Sequence, residues 1–331
     1  MTTAATVDDA AVLLTERLGA IVHRQHPLAP MTTYRVGGAA AVFVDARRLD
    51  DLVAVAEVER ITGAPVLLIG RGSNMLVADA GFEGIAVSIA GLTSDIAIPD
   101  VAGDPGDPVE VSAGGGASLP VVARRTAAAS ITGFEWAVGV PGSIGGAVRM
   151  NAGGHGSDMS ATVVDVGVFD LDTPDRGLMR VPVDRLGLRF RASTMPPSYV
   201  VIDARLALSV GDRVAAEREI ADVVHWRREH QPGGQNCGSV FVNPVPGEVA
   251  SGMLIDSLGL RGFRIGTSWV SEKHANFIQA EEGGSADDVR AVIEAVRAKV
   301  AAETGYRLRS EVRLVGFDDV DPTSFEEQPA S

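Results

Sequence analysis

Five consecutive residues, Gly70-Arg71-Gly72-Ser73-Asn74, form a pattern suited to holding a phosphate. Residues 65–69 before them have the composition of a short buried strand, so the glycines would lie at the end of a sheet. Consecutive N–H groups in such a turn can bind an anion. A Rossmann fingerprint is excluded because position 75 is Met75, and no Gly-Lys pair exists for a Walker A loop. A hairpin turn with an ordinary demand for glycine is the alternative.

A second glycine-rich segment, residues 133–156, contains eight glycines and very few charges. Flexible linkers are usually polar, and this segment is apolar. It includes the runs Gly139-Val140-Pro141-Gly142-Ser143-Ile144-Gly145-Gly146 and Asn151-Ala152-Gly153-Gly154. Two such loops suit a long cofactor whose pyrophosphate lies against backbone and whose ring needs a close approach.

These loops resemble the flavin-binding loops of the UDP-N-acetylenolpyruvoylglucosamine reductase (MurB) family. The resemblance continues in family order over about residues 25–316. The further motifs are Tyr34-Arg35-Val36-Gly37-Gly38, Phe190-Arg191-Ala192-Ser193, Gly238-Ser239-Val240-Phe241-Val242-Asn243-Pro244, Gly259-Leu260-Arg261-Gly262, Val270-Ser271-Glu272-Lys273-His274-Ala275-Asn276-Phe277 and Glu311-Val312-Arg313.

The resemblance implies an α+β fold. It consists of an FAD-binding domain of the vanillyl-alcohol-oxidase (PCMH) type in two α/β subdomains, followed by a smaller α+β substrate-binding domain. FAD would be bound non-covalently, with NADPH as the hydride donor. The residues implied to bind the cofactor are Gly70, Arg71, Gly72, Ser73, Asn74, Met75, Gly139, Pro141, Gly142, Ser143, Gly145, Gly146, Asn151, Ala152 and Gly153.

The implied reaction is the reduction of UDP-N-acetylglucosamine enolpyruvate to UDP-N-acetylmuramate, a peptidoglycan precursor. Hydride passes from NADPH to FAD and then from flavin N5 to the enolpyruvyl methylene carbon. By the same resemblance, Arg191 stabilises the charge that develops on the substrate carboxylate, with Glu311 as its partner. Ser239 donates the proton. Taken singly, these residues would be a surface arginine, a turn serine and an outward-facing charge on a strand.

Other positions in the matching motifs carry weaker expectations. Asn243 and His274 are predicted to contact the substrate. Cys237 is interpreted as a bystander thiol. Val242 stands where many family members have a lysine, and residues 209–216 are short and lack tyrosine, which resembles the shorter type of the family.

Composition limits the classes of protein. The chain of 331 residues has 29 basic and 43 acidic side chains, a net charge of −14, which disfavours nucleic acid or an anionic membrane as a partner. Only two cations are lysines, so bound anions would be held by arginine or backbone. The single cysteine and the absence of a signal-like N-terminus favour the cytoplasm. The expected partners are the UDP-sugar and NADPH; no metal site is predicted, and no obligate protein partner can be inferred.

Local patterns predict the elements that position these residues. Strands are predicted at 41–44, 65–69, 85–89, 109–113, 163–170, 200–208 and 308–315, and helices at 50–62, 118–129, 215–229 and 285–302. The predicted organisation is a lead-in at 1–24, an FAD-binding domain at 25–210 with subdomains of about 25–90 and 91–210, a substrate domain at 211–316, and a disordered acidic tail at 317–331.

Two other functions remain open at this point. A related PCMH-type flavin oxidase would act on an alcohol or aldehyde, often with flavin tethered through His or Cys; His155, which follows the glycines of the second loop, is interpreted as untethered. A flavin- or nucleotide-binding regulatory module without turnover is the other alternative. The combination of Arg191, Ser239 and Glu311 argues against that module, which has no need for a proton donor.

Overall fold

Helices and strands alternate irregularly along the chain. The computed structural model describes residues 4–100 and 103–317. The helices in that part are α1 Ala4–Leu18, α2 Leu49–Thr62, α3 Leu119–Ala128, α4 Ile144–Met150, α5 Arg213–His230, α6 Ser251–Ser257 and α7 Ala286–Thr304. The strands are β1 Val22–Pro27, β2 Ala39–Asp45, β3 Val66–Ile69, β4 Met75–Val77, β5 Phe82–Ser88, β6 Ile96–Ala97, β7 Pro108–Gly114, β8 Ile131–Thr132, β9 Gly153–Gly154, β10 Ser157–Asp158, β11 Val163–Asp170, β12 Leu178–Pro182, β13 Tyr199–Val210, β14 Arg264–Ile265, β15 Ser268–Val270, β16 Ile278–Ala280 and β17 Arg313–Val315.

Contacts between Cα atoms divide the chain into two compact units, each made of several segments. The first contains residues 1–24, 42–71 and 84–227, and the second contains residues 25–41, 72–83 and 228–331. This grouping follows spatial contacts, and the domain boundaries that the sequence suggests remain a prediction. Residues 318–331, most of the predicted acidic tail, lie outside the described residues.

The first unit is built on sheets. One sheet has the order β1-β2-β5-β3, with β3 and β5 parallel, and a larger one has the order β12-β11-β13-β7-β6 with antiparallel pairing. Strand β13, with 12 residues, lies in the middle of the larger sheet. Apolar side chains of α3 and α4 join those of β7, β11 and β13 in one core. The glycine-rich loops therefore leave rigid sheet and helix ends.

The second unit combines a small antiparallel sheet, β14-β15-β16, with helix α7. Helix α7 confirms the periodicity of the sequence because Val289, Val292, Ile293, Val296 and Val300 are all buried. Its start is also confirmed: the Ser285 hydroxyl accepts a hydrogen bond from the Asp288 N–H at 3.2 Å. The unit also holds β4 and β17, which pair in parallel.

Two local predictions need correction. The predicted strand 308–315 forms a continuous ladder only over Arg313–Val315, which pairs with β4, whereas Ser310 forms an isolated bridge with Phe241. Residues Met75–Val77, for which no strand was predicted, form that partner strand. A parallel pairing between distant segments leaves no signal in local periodicity, which explains both errors.

Candidate active site

Three glycine-rich segments meet in the first unit. A Cβ at Gly70 would collide with the Ser143 hydroxyl, so the loop after β3 lies directly against the start of α4. The Gly145 N–H donates to Gly115 O at 2.8 Å, which joins the glycines after β7 to the same place. Backbone without side chains forms this contact region. These glycines let the three segments pack backbone to backbone, a close approach that side chains would block.

The predicted cofactor residues do not all serve the same purpose. Arg71, Pro141 and Gly146 are exposed. Ser143 is buried and is the N-cap of α4, where its hydroxyl accepts from the Gly146 N–H at 3.4 Å. Gly139 is also buried, and a Cβ there would lie 3.0 Å from Val223 of α5. Capping of α4 therefore accounts for the serine at 143, and packing against α5 accounts for the glycine at 139.

Asn151 positions another part of the same unit. It ends α4 in the left-handed conformation with φ 40°. Its amide nitrogen donates to Asp158 at 3.1 Å and to Arg189 O at 3.0 Å, and its oxygen accepts from the Ser160 N–H at 2.9 Å. Its side chain, 2% exposed, is thus engaged within the protein. Asn151 ties the end of α4 to the segment that carries Arg191.

Arg191 lies in a two-residue turn. Arg189 and Ala192 exchange backbone hydrogen bonds of 2.9 and 3.1 Å, which leaves Phe190 and Arg191 at the tip. Arg191 has φ 56°, an uncommon conformation for a residue with a side chain. Its guanidinium donates to Gly153 O at 2.7 Å and lies 5.0 Å from the Phe190 ring centroid. Loop 151–154 and the guanidinium are therefore held together.

In the second unit, the remainder of the first glycine loop supports Glu311. The Asn74 side chain donates to Glu311 O at 2.7 Å, and the Arg313 N–H donates back to Asn74 O at 3.0 Å. Met75 begins β4 and pairs with Arg313. Gly72 has φ 57°, and a Cβ there would collide with the carbonyl of Met31. The Asn74 side chain is therefore turned to the protein, while its backbone and that of Ser73 stay predicted cofactor contacts.

Ser239 follows a glycine in a well-defined turn. Gly238 has φ 88°, the left-handed region that favours glycine, and its N–H donates to the Asn236 side chain at 3.0 Å. The next residue, Val240, is held by hydrogen bonds at both its N–H and its carbonyl. Its N–H donates to Asn276 O at 2.9 Å, and its carbonyl accepts from the Glu311 N–H at 2.8 Å. Ser239 and Glu311 are thus joined through the backbone of one residue.

Ser239 lines a cavity of about 370 Å³ within the second unit. Asn243 and His274, the two predicted substrate contacts, line the same cavity. The Asn243 oxygen accepts a hydrogen bond from the Ser251 N–H at 3.1 Å at the start of α6. Three residues singled out from two separate motifs therefore line one cleft. The other lining residues are Ala250, Gly252, Met253, Asp256, Arg261, Ala275 and Asn276.

The charges in this cavity are balanced. The Arg261 guanidinium donates to both oxygens of Asp256 at 2.6 and 3.0 Å, and this hydrogen bonding holds the pKa of that carboxyl below its usual value. Burial lowers the pKa of His274, and the nearby Arg261 lowers it further. His274 is therefore neutral near pH 7. Its Nδ1 accepts from the Asn276 N–H at 3.2 Å, which orients the ring.

Because the folded state lowers the pKa of His274, we expect the protein to lose stability as the pH falls. The unfolded chain binds a proton below the ordinary value near 6.5, before the folded chain does. The contribution of His274 is present above that value and is lost as pH falls through the folded pKa. Thermal unfolding followed between about pH 7.5 and 5 should show a smaller loss in His274→Gln than in the unchanged chain.

His155 provides the control for this measurement. Partial burial against Trp226, which its ring meets edge-on, and the nearby Arg227 also lower the pKa of His155. As a whole, however, His155 is an exposed residue, and it belongs to the first unit. We expect His155→Gln to change the pH dependence less than His274→Gln does. An identical pH dependence in the His274→Gln variant and the unchanged chain would contradict the assignment of His274 as a neutral, half-buried imidazole.

Two neighbouring positions have structural explanations. Burial raises the pKa of Cys237 to about 12, so its thiol is protonated and unsuited to nucleophilic attack, which agrees with a bystander. Val242 is buried, and its N–H donates to Arg309 O at 2.9 Å. Among the described residues that line the cavity, Arg261 supplies the positive charge. The sequence motifs contain Arg261 and Asn276, but periodicity and spacing gave no reason to single them out.

In the part of the chain that the structure describes, no helix has both the length and the apolar composition required to cross a membrane.

Comparison with known proteins agrees with this architecture. Residues 40–172 match a family model described as an FAD binding domain, and residues 230–315 match the model of the C-terminal domain of UDP-N-acetylenolpyruvoylglucosamine reductase. The reductase of Heliobacterium modesticaldum is 39% identical over 296 residues, which cover 88% of this chain and 90% of that protein. The reductase of Syntrophotalea carbinolica is 39% identical over 309 residues, covering 92% of this chain and 99% of that protein.

A solved structure shows the same fold. The crystal structure of UDP-N-acetylenolpyruvylglucosamine reductase (MurB) from Thermus caldophilus superposes with a TM-score of 0.71 at 29% identity, covering 89% of this chain and 98% of that one. The predicted fold class, an α+β protein with a PCMH-type FAD-binding domain and a smaller C-terminal domain, is confirmed. From its sequence relatives, its matched domains and its fold, this chain belongs to the UDP-N-acetylenolpyruvoylglucosamine reductase family.

Proposed function

We propose that this chain catalyses the NADPH-dependent, FAD-mediated reduction of UDP-N-acetylglucosamine enolpyruvate to UDP-N-acetylmuramate in peptidoglycan synthesis. The single observation that carries the proposal is the cavity that gathers Ser239, Asn243 and His274 in a chain of this family. When bound, FAD supplies the redox chemistry by relaying hydride from NADPH to the substrate. The exposed Arg71, Pro141 and Gly146, in the two glycine-rich loops, are proposed to contact such a cofactor.

Ser239 is proposed as the proton donor. Reduction of the enolpyruvyl double bond adds hydride to C3 and a proton to C2, so the protein must supply one proton for each turnover. Ser239 lines the cavity, and in this proposal its hydroxyl gives a proton to the substrate and regains one from solvent. An alcohol is a weak acid, but the carbanion-like carbon next to the carboxylate is strongly basic and lies within hydrogen-bond reach in this proposal.

Arg191 and Glu311 are proposed to handle the charge on the substrate carboxylate. Addition at C3 places negative charge on the carboxylate and C2, and a guanidinium stabilises a carboxylate with two parallel hydrogen bonds. The turn at residues 189–192 and the bond to Gly153 O hold Arg191 in place. Glu311, whose backbone is tied to Asn74 and Val240, is proposed to stabilise or position the same group.

Asn243 and His274 are proposed as contacts to the nucleotide sugar. Both line the cavity with Ser239, and both are polar and uncharged near pH 7. The substrate would therefore meet hydrogen-bonding groups and the paired Arg261 in this cleft. We further infer that the protein works in the cytoplasm, which a chain with one free thiol suits.

The test uses the visible spectrum of the purified holoprotein. Anaerobic NADPH should bleach the flavin band, and UDP-N-acetylglucosamine enolpyruvate should then restore it with formation of UDP-N-acetylmuramate. Bleached flavin that the substrate fails to reoxidise would overturn the proposal. Acid precipitation separates the oxidase alternative, because flavin that stays with the precipitated protein would indicate a covalent link.

A further inference from the structure

The buried side chain of Asn276 makes two hydrogen bonds with the backbone of Phe241, two residues after Ser239. Its oxygen accepts from the Phe241 N–H at 3.0 Å, and its nitrogen donates to Phe241 O at 2.8 Å. Asn276 is 5% exposed, so water does not readily replace these bonds. A side-chain amide presents one acceptor and one donor to the backbone, as a neighbouring strand would. Asn276 thus supplies a strand-like partner on one side of Phe241, and residues 309–311 bridge the segment on the other side.

A second contact from the same residue fixes the adjacent peptide. The backbone carbonyl of Asn276 accepts from the Val240 N–H at 2.9 Å. The Val240 carbonyl in turn accepts from the Glu311 N–H at 2.8 Å. Three hydrogen bonds from Asn276 and one from Glu311 therefore fix residues 240–241.

This arrangement matters for Ser239 because of what precedes it. Gly238 has φ 88°, and its turn is held by one hydrogen bond, from the Gly238 N–H to the Asn236 side chain at 3.0 Å. Glycine is also the residue with the greatest backbone freedom. More hydrogen bonds hold the backbone on the C-terminal side of Ser239, where residues 240–241 make the four described above.

We propose that Asn276 is a positioning residue for proton transfer, holding Ser239 at a fixed distance from Glu311 through the backbone of residues 240–241. The inference rests on the proposed function, because it assigns a geometric requirement to the proton donor of that reaction. It also gives Asn276, which lines the cavity, a role that does not depend on contact with the substrate.

Removal of the amide should affect one half of the reaction. Asn276→Ala leaves the Phe241 N–H and carbonyl without their partner, and the Ser239 segment then relaxes. Supporting groups of this kind typically contribute about 10- to 100-fold to activity, and a displacement of about 1 Å has a similar cost. We expect the limiting rate of substrate-dependent flavin reoxidation to fall by about 10- to 100-fold. Flavin reduction by NADPH should stay within about threefold of the unchanged protein.

Substrate affinity distinguishes positioning from direct contact. Isothermal titration of UDP-N-acetylglucosamine enolpyruvate into the oxidised holoprotein should give a dissociation constant within about threefold of the unchanged value. A weaker affinity with an unchanged limiting rate would make Asn276 a substrate contact and would overturn the proposal. Equal losses in both half-reactions would make it a purely structural residue, with the same consequence.

Asn276→Asp adds a rescue experiment that the alanine variant lacks. A protonated carboxylic acid has one donor and one acceptor, as the amide has, whereas a carboxylate would repel the Phe241 carbonyl. Burial raises the pKa of a carboxyl, which brings protonation into a usable pH range. The reoxidation rate of Asn276→Asp, divided by that of the unchanged protein at each pH, should therefore rise as the pH is lowered. A flat ratio would contradict the proposed hydrogen bonding.

Thr267→Val is the matched control. The Thr267 hydroxyl donates to Asp288 at 2.7 Å and accepts from the Ser285 N–H at 2.9 Å, so the variant also loses two hydrogen bonds in the second unit. Thr267 does not line the cavity, and both half-reactions should stay near their normal rates. If Asn276→Ala fails to fold, the pH dependence of the reoxidation rate of Asn276→Asp, relative to that of the unchanged protein, tests the proposal by itself. Failure of the unchanged protein to be reoxidised by the substrate would instead refute the proposed function.

Discussion

Ser239→Ala is expected to slow reoxidation of the reduced holoprotein by its enolpyruvyl substrate by about 10²- to 10⁴-fold, the usual contribution of a general acid. Reduction by NADPH should proceed at nearly its normal rate, because no proton from Ser239 is needed in that half. The substitution removes one hydroxyl from a residue that lines the cavity and leaves the Gly238 turn and the Val240 hydrogen bonds in place. Rapid mixing under anaerobic conditions measures the two halves separately.

Ser251→Ala is the control for this substitution. Ser251 is fully buried and its hydroxyl donates to Val242 O at 2.6 Å, but it does not line the cavity. It therefore tests whether loss of any serine hydroxyl near this segment is enough to slow the reaction. Equal slowing of both halves in Ser239→Ala, or slowing of the same size in Ser251→Ala, would assign Ser239 a structural role.

Arg191→Ala is expected to reduce the rate of the same half-reaction by about 10²- to 10³-fold, because it removes a charged donor from the site where negative charge develops. Arg191→Lys should recover only part of this loss. Lysine restores the charge but lacks the planar pair of donors that matches a carboxylate. Initial rates measured over a range of substrate concentrations separate loss of binding from loss of stabilisation in the transition state.

Arg189→Ala provides a matched change of charge. Arg189 is exposed in the same turn, and its backbone hydrogen bonds with Ala192 do not require its side chain. The variant lowers the net charge equally and keeps the geometry of the tip. If Arg189→Ala loses as much activity as Arg191→Ala, general electrostatic attraction of an anionic substrate would explain both results, and a specific role for Arg191 would be refuted.

The elements with strong local patterns were predictable from sequence. Helix α7 repeats its apolar residues along one face and has Ser285 as its N-cap. Strand β11 was predicted at its observed bounds. Strand β17 was predicted too long because Leu308 and Val312 continue the alternation of apolar and charged residues that is typical of a strand. Only Arg313–Val315 pair with β4, which supplies three partners, while Ser310 forms an isolated bridge with Phe241. The length of a strand depends on its neighbour, which local sequence does not contain.

The candidate site was predictable in its residues but not in their contacts. Family motifs identified Ser239, Asn243 and His274, and the structure places them around one cavity. The same motifs assigned Asn74 to the cofactor, whereas its side chain donates to the Glu311 carbonyl. An asparagine can bind a ligand or its own backbone with equal chemistry. Only the fold decides between these uses. For the same reason, the motif that contains Asn276 predicted no role for it.

The parallel pairing of β4 with β17 has a consequence for how the chain is made. Asn74 and Glu311 are 237 residues apart in sequence. At roughly 5–20 residues per second, a ribosome needs about 10 to 50 s to travel between them. During that interval Leu76 and Val77, both buried in the finished protein, have no partner strand. A nascent chain that stops just before Arg313 would already contain Ser239 and Glu311, yet it would lack the strand that anchors them.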